Sequence, residues 1–191
     1  MNRTARVTVT VWALAVIFAT IAAAQTQPKV LYKCDFSQGL PAKWGKGELV
    51  KEGLPEGSMG AVTSGKDAQG VIQNINSNIE WTKGHFTIED GLYFNFHAKM
   101  SNPQWFLVFL QIKSPGMASD TVNYLGRPEG FSADWKTYSI PLNDFKAVTG
   151  DKKDTAPPNG KICSLYFFDV QKRDLGLTID RVWISKGKPA E

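Results

Sequence analysis

Residues 91–113, GLYFNFHAKMSNPQWFLVFLQIK, contain two runs in which side chains sort by polarity with a period of two. Successive side chains leave a β-strand on opposite sides, so this pattern predicts strands with one buried and one open face. In the first run Phe94, Phe96, Ala98 and Met100 share a side, with Tyr93, Asn95, His97 and Lys99 opposite. In the second, Phe106, Val108, Leu110 and Ile112 form the apolar set, with Trp105, Leu107, Phe109, Gln111 and Lys113 opposite. The even positions predict a wall of the core. The odd positions mix rings with amides and cations, a richer inventory than a solvated face needs, and form the leading candidate for a ligand surface.

Two arrangements satisfy the pattern. A hairpin over Asn102-Pro103-Gln104 sets His97 beside Phe109 and Asn95 beside Gln111, because opposed residues in an antiparallel pair share a face. Alternatively the runs cross to opposite sheets of a sandwich, which separates their outward faces.

The chain opens with a segment of export type. Arg3 and Arg6 lead, residues 7–21 are apolar with interspersed threonines, and Ala22-Ala23-Ala24 precedes Gln25. This charged, apolar, small-residue order predicts a secretory signal cleaved after Ala24, and hence a secreted or periplasmic protein. An uncleaved membrane anchor is the alternative, since the apolar part carries no charge. Cleavage leaves 167 of the 191 residues, 25–191, which is one domain with a real core. Loss of the two arginines lowers the formal net charge from +4 to +2. No run of Lys or Arg forms a stripe, so nucleic acid is not an expected partner, nor is a membrane once the signal is gone. Cys34 and Cys163 leave two readings open: one disulfide formed in an oxidising compartment, or two small apolar residues.

Many glycines and prolines (17 and 10) and short alternating runs predict an all-β domain. Strands are expected near 30–36, 48–52, 59–63, 70–75, 85–89, 135–140, 162–170 and 177–184, besides the central two. Residues 117–134 read as a long irregular segment, and 142–145 as a short helical turn. This is the strand inventory of a two-sheet antiparallel β-sandwich or jelly roll.

Four blocks stand in a suggestive order: CDFSQGLPAKW (34–44), GLYFNFHAKM (91–100), WKTYSIPLNDF (135–145) and LGLTIDRVWI (175–184). Together they resemble the carbohydrate-binding modules of the galactose-binding-like jelly-roll superfamily. The most specific part is the Trp-x-x-Tyr-x-Ile-Pro-Leu-x-Asp-Phe block followed by a closing Ile-Asp-x-Val-x-Ile strand. The resemblance implies a sandwich that binds a polysaccharide or oligosaccharide without cleaving it, in company with a secreted glycan-degrading enzyme. It further implies a structural Ca²⁺, with Asp35 and Asp180 at the positions of carboxylate ligands. Calcium takes six to eight oxygens, so backbone carbonyls would complete that shell. Members usually carry an attached enzyme domain, and the blocks here span a single domain.

Sugars present flat C–H faces to aromatic rings and hydroxyls to amides and charges. Trp105 and Tyr93 are the expected stacking surfaces, and Asn95, Gln111, His97 and Lys99 the hydroxyl partners. Trp44 and Trp81 are secondary candidates in loops, whereas Trp135 and Tyr138 read as structural. Trp183 is out of phase with Val182 and Ile184 and is expected to cover an outer sheet face. Tyr166 and Phe168 share one side of their strand, inward or outward.

Catalytic signatures are few. The central strands place no carboxylate pair on their open face, as glycoside hydrolysis normally needs. His85 and His97 are too few for a three-histidine metal centre, and no Gly-x-Ser-x-Gly elbow or phosphate loop occurs. One enzymatic alternative survives, a jelly-roll polysaccharide lyase in which Tyr93 or His97 abstracts a proton beside a uronate while Lys99, Asn95 and Gln111 neutralise its carboxylate. A structural or protein-binding sandwich is the third class.

Overall fold

The computed structural model describes residues 28–41, 44–45, 47–70, 73–77, 87–114, 121–148, 153–157 and 159–190. The export segment, Trp81 and His85 lie outside them. Twelve strands are described: β1 (Lys29–Cys34), β2 (Trp44–Gly45), β3 (Gly47–Val50), β4 (Ala61–Ser64), β5 (Ile75–Ser77), β6 (Leu92–Met100), β7 (Leu107–Lys113), β8 (Thr121–Gly126), β9 (Lys136–Pro141), β10 (Lys146–Ala147), β11 (Lys161–Phe168) and β12 (Leu177–Lys186). A 3₁₀ turn, Leu142–Asp144, is the helical turn expected after the Ile-Pro-Leu block. Among the described residues no helix is long and apolar enough to cross a membrane.

The strands form two antiparallel six-stranded sheets packed as a jelly-roll β-sandwich. The first sheet runs β3-β4-β12-β6-β9, with β1 also paired to β12; the second runs β10-β8-β7-β11-β5-β2. The even residues of β6 and β7 do wall the core: Phe94, Phe96, Ala98 and Met100 from one sheet meet Val108, Leu110 and Ile112 from the other. Phe96 is the hub of an aromatic cluster. Its ring stacks on Tyr138 at 4.9 Å and meets Phe167 edge-on at 5.0 Å.

The two central runs are therefore not a hairpin. β6 pairs with β12 and β9, whereas β7 pairs with β8 and β11. Their hydrophobic faces look at each other across the core, and their odd-numbered faces point away from each other.

Three further expectations are corrected. Residues 121–126, read as part of an irregular segment, form β8 beside β7. Its core side offers only Val122, Tyr124 and Gly126, because Phe145 occupies the space where a side chain at 126 would sit; a Cβ there would lie 2.6 Å from its ring. Trp44, placed in a loop as a secondary ligand candidate, is buried and meets Phe36 edge-on at 4.8 Å. The alternation at 85–89 makes no strand over its described part, 87–89. Cys34 and Cys163 lie in different sheets as free thiols, each partly exposed rather than buried on a core face.

Candidate binding surface

Two bulges decide what the outer faces carry. A β-bulge inserts one extra residue and shifts the inward–outward parity beyond it. On β11 the register shifts between Ile162 and Ser164, so Ile162 faces the core, as do Leu165 and Phe167 after the bulge, leaving Ser164, Tyr166 and Phe168 on the outward side. On β12 the shift lies between Ile179 and Arg181, so Ile179 and Val182 both face inward while Arg181 pairs opposite His97.

The outward side of the second sheet holds a shallow trough of about 220 Å³ lined by Phe109 and Gln111 from β7, Asn123 from β8, and Tyr166 and Phe168 from β11. Strand pairing fixes these positions: Phe109 is opposite Tyr166 on one side, and Gln111 is opposite Asn123 on the other. Phe109 and Phe168 meet edge-on at 5.5 Å, and the Gln111 amide donates to Asn123 Oδ1 at 3.4 Å. All five side chains are partly exposed. Rings supply flat apolar surface and the amides supply directional donors and acceptors, the combination by which a small concave site orients a polar ligand.

Of the six residues named from the sequence as sugar contacts, Gln111 alone lies in this trough, with Phe109 of the same odd-numbered face beside it. Trp105 precedes β7 at the head of the same stripe, with the guanidiniums of Arg127 and Arg173 over its ring at 5.4 and 5.0 Å. Arg173 is anchored in turn by Asp169, Gln104 and the Trp105 carbonyl. Burial pushes the Asp169 carboxyl up, but the bonds from Arg173 outweigh it and hold the group below the ordinary carboxylate range. Trp105 is partly exposed, with two cations packed over its ring.

Tyr93, Asn95, His97 and Lys99 sit together on the far side of the sandwich. Asn95 is 0% exposed, its amide donating to Ser185 Oγ at 2.9 Å and to the Tyr93 carbonyl, and so it has no surface to offer a ligand. Trp183 lies opposite it in register and covers this outer face, as its phase suggested. His97 Nδ1 donates to Asp180 Oδ1 at 2.8 Å, with the two side chains only 12% and 4% exposed. Trp135 stacks on the His97 ring at 5.4 Å, and Lys99 lies 5.0 Å over the indole. Lys99 Nζ and Trp135 Nε1 both donate to the Gly53 carbonyl, fastening the segment after β3 across this end of the sheet. Asn95, His97 and Lys99 thus serve packing and loop attachment, while Tyr93 stays partly exposed beside them. The set invoked for a lyase is split, with Gln111 on one face and Tyr93, Asn95, His97 and Lys99 on the other.

Asp35 and Asp180 do converge, on a cleft of about 260 Å³ shared with Lys33, Ser37, Glu56 and Arg181. Each carboxylate is already engaged. Asp35 accepts from Ser37 Oγ at 2.7 Å and from Lys33 Nζ at 2.9 Å, which together lower its pKa to about 2. Asp180 is held by His97. Among the described residues no three His, Cys, Asp or Glu side chains group in a way that holds a metal. Two carboxylates with cationic or imidazole partners do not fit the oxygen-rich shell that calcium requires.

Tyr166, Phe168 and Asn123 were left unassigned by sequence reasoning, and Phe109 was placed on the open face without being named as a contact. Phe109 was legible by phase alone. Tyr166 and Phe168 stand in the run Leu165-Tyr166-Phe167-Phe168, where both parities are apolar and only the bulge decides which pair faces out.

Fold and trough together define a β-sandwich with one sheet face lined by partly exposed rings and amides. The structure is similar to the family 11 carbohydrate-binding module from Clostridium thermocellum, solved in complex with a β-1,3-1,4-mixed-linked tetrasaccharide, with TM-score 0.53 and 16% identity over 84% of this chain and 97% of that one. A family 30 carbohydrate-binding module shows TM-score 0.48 and 15% identity over 86% of each chain. At such identities the likeness is one of fold. No family model and no curated protein matches the sequence.

Proposed function

We propose that this protein is a secreted, non-catalytic glycan-binding module whose ligand lies in the trough on the second sheet. The observation that carries the reading is the trough itself: Phe109, Tyr166 and Phe168 beside Gln111 and Asn123, partly exposed on one continuous sheet face. The likeness of fold to a module solved with a bound tetrasaccharide supports a glycan as the ligand class. In this reading residues 1–24 direct export to the periplasm or beyond, and the module works beside a secreted glycan-degrading enzyme.

Affinity electrophoresis of the full chain through gels containing a panel of soluble polysaccharides tests the reading. Retardation by at least one glycan, abolished in Tyr166→Ala and kept in His97→Ala, is the expected result. Free migration through every gel sinks it, and a protein-binding sandwich then becomes the better account. Calcium at the Asp35–Asp180 cleft is a separate proposal drawn from the resemblance; it requires a melting temperature that falls on adding EDTA, and the partners already on both carboxylates oppose it.

A further inference from the structure

Strand β9 ends the first sheet. It pairs with β6 on one side, and among the described residues no strand pairs with the other. Along it lies a hollow of about 590 Å³, larger than the trough, lined by all six residues of β9 and by Arg127, Glu129, Asp144 and Lys188. Consecutive residues of both phases line it, so the hollow follows the edge of the strand rather than either face of the sheet.

A proline fixes the hydrogen-bond phase of that edge. Tyr93 is opposite Pro141, which has no N–H, so the two cannot exchange a pair of main-chain bonds. Bonded and non-bonded pairs alternate along an antiparallel ladder, and β6 and β9 pair without a register shift. Asn95–Ser139 and His97–Thr137 are therefore non-bonded pairs as well. Thr137 and Ser139 turn their N–H and C=O groups away from β6 and into the hollow, where no described residue bonds them. Sheet edges are normally blunted by lysines or prolines. Here Lys136 is turned back, its Nζ donating to the Gly130 carbonyl at 3.2 Å and lying 5.9 Å over the Tyr138 ring, while Pro141 stands at the end of the strand. The middle of the edge stays open.

The open groups match a second copy of themselves. When two β9 strands run antiparallel about Tyr138, Thr137 of each falls opposite Ser139 of the other, donor to acceptor in both directions, and all the outward groups of both residues are satisfied. Pro141, which offers only a carbonyl, falls opposite Trp135 just before the strand. The same arrangement carries the exposed Asp144, past the end of one strand, toward Lys136 at the start of the other. Lys136 keeps N–H donors beyond the one given to Gly130.

We infer that the chain forms a two-fold dimer through β9, which joins the first sheets of two copies into one continuous sheet. Opposed residues of an antiparallel pair share a face, so both cores stay on one side of that sheet and both troughs look the same way. The dimer does not depend on the glycan-binding reading. Its consequence does: two troughs facing one way hold a long polysaccharide by avidity.

Sedimentation equilibrium of the full chain, with no glycan present, tests the dimer. The expected result is a mass that rises with concentration from one chain to two, with amide exchange at Thr137 and Ser139 slowing in step. Ser139→Pro removes an outward N–H that β6 does not use. It should keep its melting temperature and its binding of short oligosaccharides, yet stay at the mass of one chain. Should that variant fail to fold, the exchange of the wild-type amides decides. A single chain at every concentration, association that survives Ser139→Pro, or amides at 137 and 139 equally protected at all concentrations overturns the inference. The last of these would mean that another part of the same chain covers the edge. A monomer that gels retard leaves the glycan reading standing, whereas a dimer that no gel retards overturns that reading and leaves this one.

Discussion

Phe109 and Tyr166 face each other across two paired strands, partly exposed, with an amide pair one step further along. A ring that is half in solvent contributes little to folding when removed but forms much of a binding floor. Phe109→Ala and Tyr166→Ala are accordingly expected to weaken glycan binding by about 2 kcal/mol, some thirtyfold, with small changes in melting temperature. Phe96→Ala is the contrasting case: fully buried among Phe94, Phe106, Tyr138 and Phe167, its loss should cost about 3–5 kcal/mol in a denaturation experiment. The polar residues of β6 fall between these extremes. His97 looks like a ligand group in the sequence because it is a histidine on an open phase, yet Asp180 and Trp135 consume its two kinds of surface.

At the scale of elements, phase was legible and partnership was not. Period-two alternation told which side of β6 and β7 faces the core, and that reading held at every even position from Phe94 to Ile112 that lies in a strand. Whether two strands pair or oppose depends on where the chain goes next, which alternation does not encode. Strand β8 escaped notice because its core side is Val122, Tyr124 and Gly126, too thin a hydrophobic set to register as a strand. Gly126 is there because Phe145 fills its place. Gly126→Ala is expected to destabilise the fold by about 1–3 kcal/mol through overpacking, measured as a shifted urea midpoint with an unchanged slope. The bulge on β11 was invisible for a related reason, since the Leu165-Tyr166-Phe167-Phe168 run beyond it is apolar on both phases; on β12 the bulge falls at Asp180, where two polar residues in a row separate Ile179 from Val182.

Across the whole molecule, ionisable groups tied to the core set the alkaline limit. Burial pushes the Tyr32 hydroxyl up to about 12, with the nearby Cys34 thiolate adding to it, and burial likewise raises Cys34, Tyr124 and Tyr138. The unfolded chain loses these protons near the ordinary values of 9.0 for Cys and 10.0 for Tyr, whereas the folded chain keeps them longer. Their contribution to stability is therefore complete below pH 9 and is lost as pH rises toward 12. The melting temperature should decline steadily over that window, and Tyr32→Phe should flatten its upper half; a curve level to pH 12 would contradict the assignment.

The two outer faces of the sandwich make rival predictions about where a glycan sits, and amide chemical-shift mapping separates them directly. Titrating the isotope-labelled protein with the glycan that retards it should move the side-chain amides of Gln111 and Asn123 and the backbone signals around Tyr166, leaving His97 and Trp135 still. Shifts concentrated at His97, Lys99 and Trp135 instead, with the second sheet silent, would contradict the placement of the ligand in the trough.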